Sequence, residues 1–105
     1  MGICVICSYR PKPGKEDELK ALMARHVPIL RAEKLATDRD VLSMVAKDGT
    51  HVEIFEWASE DAARAAEANP NVQEIWGAMA AVCDFVPLSA VADTDTPFAH
   101  FKPLH

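Results

Sequence analysis

A few side chains in this chain can move protons or hold a planar molecule, and they are spread along its length. His26 falls four residues after Leu22 on an apolar stripe, which sets an imidazole among apolar neighbours. Imidazole can act as a base or as a proton donor to an oxygenated intermediate. The competing reading is a buried histidine satisfied by a carbonyl or a partner residue. His51 and Glu53 alternate with Phe55 and Trp57 in one extended run, so all four share a strand face. A carboxylate among apolar neighbours suits proton transfer. Alternatively, His51 lies beside a turn in water and Glu53 forms a salt bridge between subunits. Trp57 and Trp76 can stack on a planar ligand or simply pack the core. Tyr9 places a phenol at a strand end, where it can hydrogen-bond a ligand or a structural partner. The expected catalytic residues are therefore His26 and Glu53, with Tyr9, His51, Phe55, Trp57 and Trp76 as the expected substrate contacts.

Cysteine carries no comparable signal. Cys4 and Cys7 have C-x-x-C spacing, but a strand points them to opposite faces, and no second pair or nearby histidine pair completes a zinc site. Cys83 falls elsewhere, near a helix end. Reduced thiols, no metal and no cofactor are expected. Over 105 residues the net charge is −5, and the eleven basic residues are scattered, which argues against nucleic-acid and anionic-membrane partners. No apolar run reaches the roughly 20 residues that span a bilayer. Met1-Gly2-Ile3-Cys4 enters a strand without the charged region and cleavage site of a secretory leader, so a cytoplasmic location is expected.

The elements that must position these residues follow from periodicity. Residues 3–9 read as a strand, stopped by Arg10-Pro11-Lys12-Pro13-Gly14. A helix then opens with Glu16, Asp17 and Glu18 in its first turn, where the helix dipole favours acids. Its stripe is Leu19, Leu22, Met23, His26, Val27 and Leu30, with Pro28 kinking or restarting it. Two strands over 41–47 and 50–57 flank Asp48-Gly49, the composition of a two-residue type I′ hairpin. That turn opposes Val45 to Val52 and Met44 to Glu53, and puts Leu42, Met44 and Ala46 on the face of His51, Glu53, Phe55 and Trp57. Ser59 caps an alanine-rich helix that Asn69-Pro70-Asn71 interrupts, and Val72, Ile75, Trp76, Met79 and Ala80 form the stripe of its second piece. Residues 84–91 read as a last strand, with Pro87 marking an edge or bulge.

The order β-α-β-β-α-β predicts an α+β, ferredoxin-like fold, with helices on one face of a four-stranded antiparallel sheet. Residues 1–91 form this domain, and 92–105 form a tail whose Phe98 and Phe101 pack on the domain or on a dimer partner. The strands carry apolar side chains on both faces. Ile3, Val5, Cys7 and Tyr9 line one side of the first strand, and Cys4, Ile6 and Ser8 the other. An antiparallel sheet with one wet face would alternate polar residues. A second copy of the chain is the simplest cover, so a homodimer is expected. Which face meets the helices is left open by the pattern, and Glu53 is a site or an interface residue accordingly.

Tyr9-Arg10-Pro11-Lys12-Pro13-Gly14-Lys15-Glu16-Asp17-Glu18-Leu19 and Glu53-Ile54-Phe55-Glu56-Trp57-Ala58-Ser59-Glu60-Asp61-Ala62 resemble the antibiotic biosynthesis monooxygenase superfamily, the dimeric α/β barrels. The resemblance spans about residues 3–91. It implies a homodimeric barrel with a small-molecule cleft between sheet and helices in each subunit. Members include cofactor-independent oxygenases of aromatic polyketides and quinols, heme-degrading enzymes, and small proteins without assigned activity. The heme-degrading pattern is not matched: no histidine lies between Ser59 and Cys83, and Trp76 stands roughly where that histidine would be. The leading expectation is a cofactor-independent monooxygenase-like protein acting on a small aromatic or quinol-type molecule. A non-catalytic ligand-binding or stress-related dimer, and an isomerase on the same fold, are the alternatives.

Overall fold

A computed structural model describes residues 2–104 of the chain. Strand β1 (Ile3–Pro11) leads into helix α1 (Glu16–Ala32), then the hairpin β2 (Leu42–Val45) and β3 (His51–Trp57). Helices α2 (Glu60–Ala66) and α3 (Pro70–Ala80) follow, then β4 (Cys83–Phe85), a 3₁₀ turn over Leu88–Ala90, and β5 (Lys102–Pro103). The architecture is mixed α+β with one antiparallel sheet in the order β4-β1-β3-β2-β5. Its first four strands keep the ferredoxin-like order. The expected four-stranded count is corrected to five, because Lys102–Pro103 of the tail pairs with β2.

Local chemistry explains most boundaries. Ser59 Oγ accepts the Ala62 N–H at 3.0 Å and starts α2, as its residue type predicts. Asn69 caps α3 by accepting the N–H groups of Asn71 and Val72, and Pro70 follows where the missing N–H costs nothing. Helix α1 runs through Pro28 as one element, and does not restart there. Strand β4 is shorter than the segment 84–91 expected for it. Pro87 cannot donate to a ladder, and the chain turns into the 3₁₀ segment directly after it.

The hairpin differs from its expected form. The Gly49 N–H donates to the Ala46 carbonyl at 3.0 Å, and the Ala46 N–H donates to the Thr50 carbonyl at 2.8 Å. Lys47-Asp48-Gly49 is thus a three-residue loop. A type I′ turn needs positive φ at both central residues, but here Gly49 alone takes it, at +88°. Asp48 instead stays at negative φ, and its Oδ1 accepts the Thr50 N–H at 3.0 Å. The extra loop residue moves β2 by one position. Ser43 pairs with Glu53, Val45 with His51 and Leu42 with Ile54. Leu42 and Met44 therefore leave the face of Glu53, and Ser43 and Val45 join it.

That face, with Val5, Cys7 and Tyr9 of β1 and Glu53 and Phe55 of β3, is the one the helices cover. Helix α1 buries Leu19, Met23, His26, Val27 and Leu30 against it. Helix α3 buries Val72, Ile75 and Met79. The choice left open by the pattern is thereby decided: Glu53 lies beneath the helices. On the opposite face the tail covers one end, where Val91 and Phe101 pack on Ala46 and Val52. At the other end a row of Leu42, Ile54 and Ile6 stays open, Leu42 and Ile6 each 47 % exposed.

Candidate functional site

A cavity of about 380 Å³ opens between β1, α1, α3 and the segment that follows β4. Its walls are Ile6, Cys7, Ser8, Tyr9, His26, Phe55, Trp57, Trp76, Phe85, Val86, Pro87 and Leu88. The volume falls in the range of small-molecule sites, and the walls are mainly apolar with a few convergent polar groups, as such sites require.

The polar groups form one chain of hydrogen bonds. The Trp76 Nε1–H donates to His26 Nε2 at 2.9 Å. His26 Nδ1 lies 2.9 Å from Glu53 Oε1. The Tyr9 hydroxyl donates to the same Glu53 oxygen at 2.8 Å. Four elements meet here: α3 supplies Trp76, α1 His26, β3 Glu53 and β1 Tyr9. The tautomer follows from the donors. Indole N–H can only donate, so Nε2 holds the lone pair, and Nδ1 carries the proton that it gives to Glu53. Glu53 is 1 % exposed and sits behind His26, without lining the cavity. It holds the imidazole ring and offers negative charge to it. His26 is the member of the pair that a ligand can touch.

Tyr9 remains a donor. Burial, with the nearby Glu53 charge second, pushes its phenol far above the ordinary tyrosine range. Its ring meets Phe85 edge-on at 5.7 Å, and Phe55 meets His26 edge-on at 5.6 Å. Among the described residues, two buried side-chain atoms lack a hydrogen-bond partner: Ser8 Oγ, in the cavity wall, and Glu53 Oε2, behind it.

Of the expected site residues, Tyr9, His26, Phe55, Trp57 and Trp76 all line the cavity. His51 does not reach it: its Nδ1 lies 3.1 Å from the Gly49 carbonyl, at the hairpin turn. Ser8, Phe85 and the Val86-Pro87-Leu88 wall were not singled out by sequence. Pro87 was the available signal, since a proline that ends a strand frees the following chain to fold back over a sheet edge. Among the described residues, no group of three or more His, Cys, Asp or Glu is gathered as a metal-ligand set. Among the described residues no helix is long and apolar enough to cross a membrane.

The cavity also sets an alkaline limit on stability. Burial pushes the Cys7 thiol up to about 11 from an ordinary 9.0, and the Glu53 charge adds to this. Below pH 9 both folded and unfolded chains keep the proton. Between pH 9 and 11 the unfolded chain loses it first, so stability falls as pH rises. Two pKa units correspond to about 2–3 kcal/mol. Burial pushes the Cys83 thiol up to about 11 as well, so urea unfolding at pH 8 and pH 10.5 is expected to show the combined loss, and Cys7→Ala is expected to lessen the slope without abolishing it. An equal slope in that variant would place the alkaline loss elsewhere.

Comparison with known proteins bears on the fold. No protein-family model matches the chain, and no curated protein matches it in sequence. Among solved structures it is similar to SnoaB, a cofactor-independent oxygenase from Streptomyces nogalater crystallised as a point mutant. The two share 21% sequence identity, with a TM-score of 0.66 over 81% of this chain and 86% of that one. The chain thus shares its fold with that oxygenase, in line with the α+β arrangement expected from its element order.

Proposed function

We propose that this protein takes a small, planar aromatic or quinol-type molecule into the cavity and oxidises it with molecular oxygen, without a bound cofactor. The observation that carries the reading is His26 in the cavity wall with its Nδ1 held 2.9 Å from the buried Glu53 carboxylate. Such a pair can take a proton from a substrate at Nε2 while the carboxylate stabilises the imidazolium that forms. The resulting electron-rich anion then reduces oxygen: a carbon–oxygen bond forms at a ring carbon that bears hydrogen, the imidazolium returns its proton to the peroxide, and water leaves with that carbon's hydrogen, so the carbon becomes a carbonyl. The apolar walls orient the ring and keep water away. The likeness to a cofactor-independent oxygenase supports the same reading.

Oxygen consumption by metal- and flavin-stripped protein, measured across a panel of quinols and anthrone-like phenols, tests it. Uptake that depends on His26 supports it. Binding without uptake, or proton exchange in the ligand without uptake, would leave a ligand-binding dimer or an isomerase instead.

A second copy of the chain is proposed to cover the open row Leu42, Ile54 and Ile6. Face-to-face packing of two sheets removes this apolar surface from water. Leu42→Glu is expected to convert a dimer to a monomer in light scattering, and a wild-type monomer would refute the assembly. Residues 1–91 are proposed as the domain and 92–105 as a tail folded onto it or its partner. The free thiols Cys4, Cys7 and Cys83 fit a reducing, cytoplasmic setting.

A further inference from the structure

The lone pair that a base at His26 must use is already occupied. The Trp76 indole N–H points at Nε2 from 2.9 Å, and the other ring nitrogen is committed to Glu53. A ligand proton cannot reach Nε2 while the indole stays in place. Protonation of Nε2 would also set two N–H groups against each other, since indole has no acceptor to offer. Both facts lead to the same consequence. We infer that Trp76 is a removable cap on His26: its N–H holds the resting imidazole neutral and in one tautomer, and it must turn away when a ligand carrying its own O–H takes the Nε2 lone pair.

The surroundings allow that exchange. Trp76 is half-buried in the cavity wall, whereas Glu53 on the far side of the imidazole is 1 % exposed. The exposed side of the pair moves, and the buried side holds. Besides Glu53 from β3, which bonds the ring, the titratable groups that line the cavity with His26 are Cys7 and Tyr9 from β1, and α3 presents the indole itself. In the exchange one hydrogen bond to Nε2 replaces another. If transfer follows, the ligand O–H bond breaks, its electron pair stays on the ligand oxygen, and the proton joins Nε2. The cap rests on the reading of His26 as the ligand-facing base, and makes Trp76 a positioning residue for it.

The chain has two tryptophans, so the Trp76 indole cross-peak in a ¹H–¹⁵N spectrum is the one lost in Trp76→Phe. Titration with 2-naphthol is expected to move that peak upfield as the imidazole bond is released. Its methyl ether, which has no proton to donate, is expected to leave the bond intact. Replacing the indole N–H by sulfur, with benzothienylalanine at position 76, keeps the ring and removes only the donor. That variant is expected to bind 2-naphthol about fivefold tighter, with no change for the ether, because one competing hydrogen bond of about 1 kcal/mol is gone. An indole peak that stays fixed at saturating 2-naphthol would overturn the cap, as would equal tightening for naphthol and ether. Because none of these readouts uses oxygen, displacement of the indole without oxygen uptake would sink the oxygenase reading and keep the cap. Uptake with an unmoved indole would do the reverse.

Discussion

His26→Ala is expected to lower the rate of oxygen consumption by about 10²–10⁴-fold, the range a positioned base contributes. The loss should come from chemistry. The cavity walls remain, so ligand affinity is expected to change far less than the rate. The variant leaves the Trp76 N–H without its acceptor and removes one donor from Glu53 Oε1. That implies a stability cost of about 1–3 kcal/mol, which thermal unfolding will register without loss of the fold. Removing the imidazole also makes room for a free one. Added imidazole is therefore expected to restore part of the rate in His26→Ala and none in the wild type. A variant that keeps the wild-type rate would remove His26 from the mechanism, and with it the proposed chemistry.

Glu53→Gln is expected to lower activity far more than stability. The carboxylate is an expensive group to bury: it is 1 % exposed, and both of its donors, Tyr9 and His26, use Oε1 while Oε2 has no partner. Glutamine keeps an oxygen for the same two donors and removes the buried charge, but its N–H₂ takes the place of Oε2, where no partner waits. Stability is expected to change by no more than about 1–2 kcal/mol, because relief from burying a charge offsets the unpaired amide N–H₂. The rate should fall by about 10²-fold, since an amide cannot stabilise an imidazolium as a carboxylate does. Oxygen uptake and urea unfolding on the same preparation decide the matter. A variant that loses stability and rate together would make Glu53 a structural bond holder, and unchanged uptake would dismiss it from proton transfer.

Much of the fold could be read in advance, for local reasons. Of the α1 stripe, Leu19, Met23, His26, Val27 and Leu30 are buried as their spacing required and Leu22 is half-buried, and Ser59 caps the helix that follows it. Period and capping are properties of neighbouring residues, so a sequence states them directly. The hairpin was different. Asp48-Gly49 is compatible with a two-residue turn and with a three-residue loop ending in a left-handed glycine. The choice fell to the second because Asp48 bonds the Thr50 N–H from a negative φ and also receives the Ala92 N–H of the tail at 3.3 Å. A contact with residue 92 is invisible to a reading of residues 41–57. The one-residue shift then exchanged the companions of Glu53.

The candidate site divides along the same line. Sequence alone determined which residue types could act: an imidazole on an apolar helix stripe, a carboxylate on a strand among aromatics, and two indoles. It also determined that His26 and Trp76 lie on the buried sides of their helices, because helical period sets a face. Tertiary structure decided the rest. It joined Trp76, His26, Glu53 and Tyr9 into one chain of hydrogen bonds across four elements, with Trp76 and His26 50 positions apart in the sequence and Tyr9 and Glu53 44 apart. It left His51 at the turn, though His51 shares a strand face with Glu53. Face membership is a matter of local period, but contact depends on how α1 and α3 lie across the sheet, which is set by packing among residues far apart in the chain.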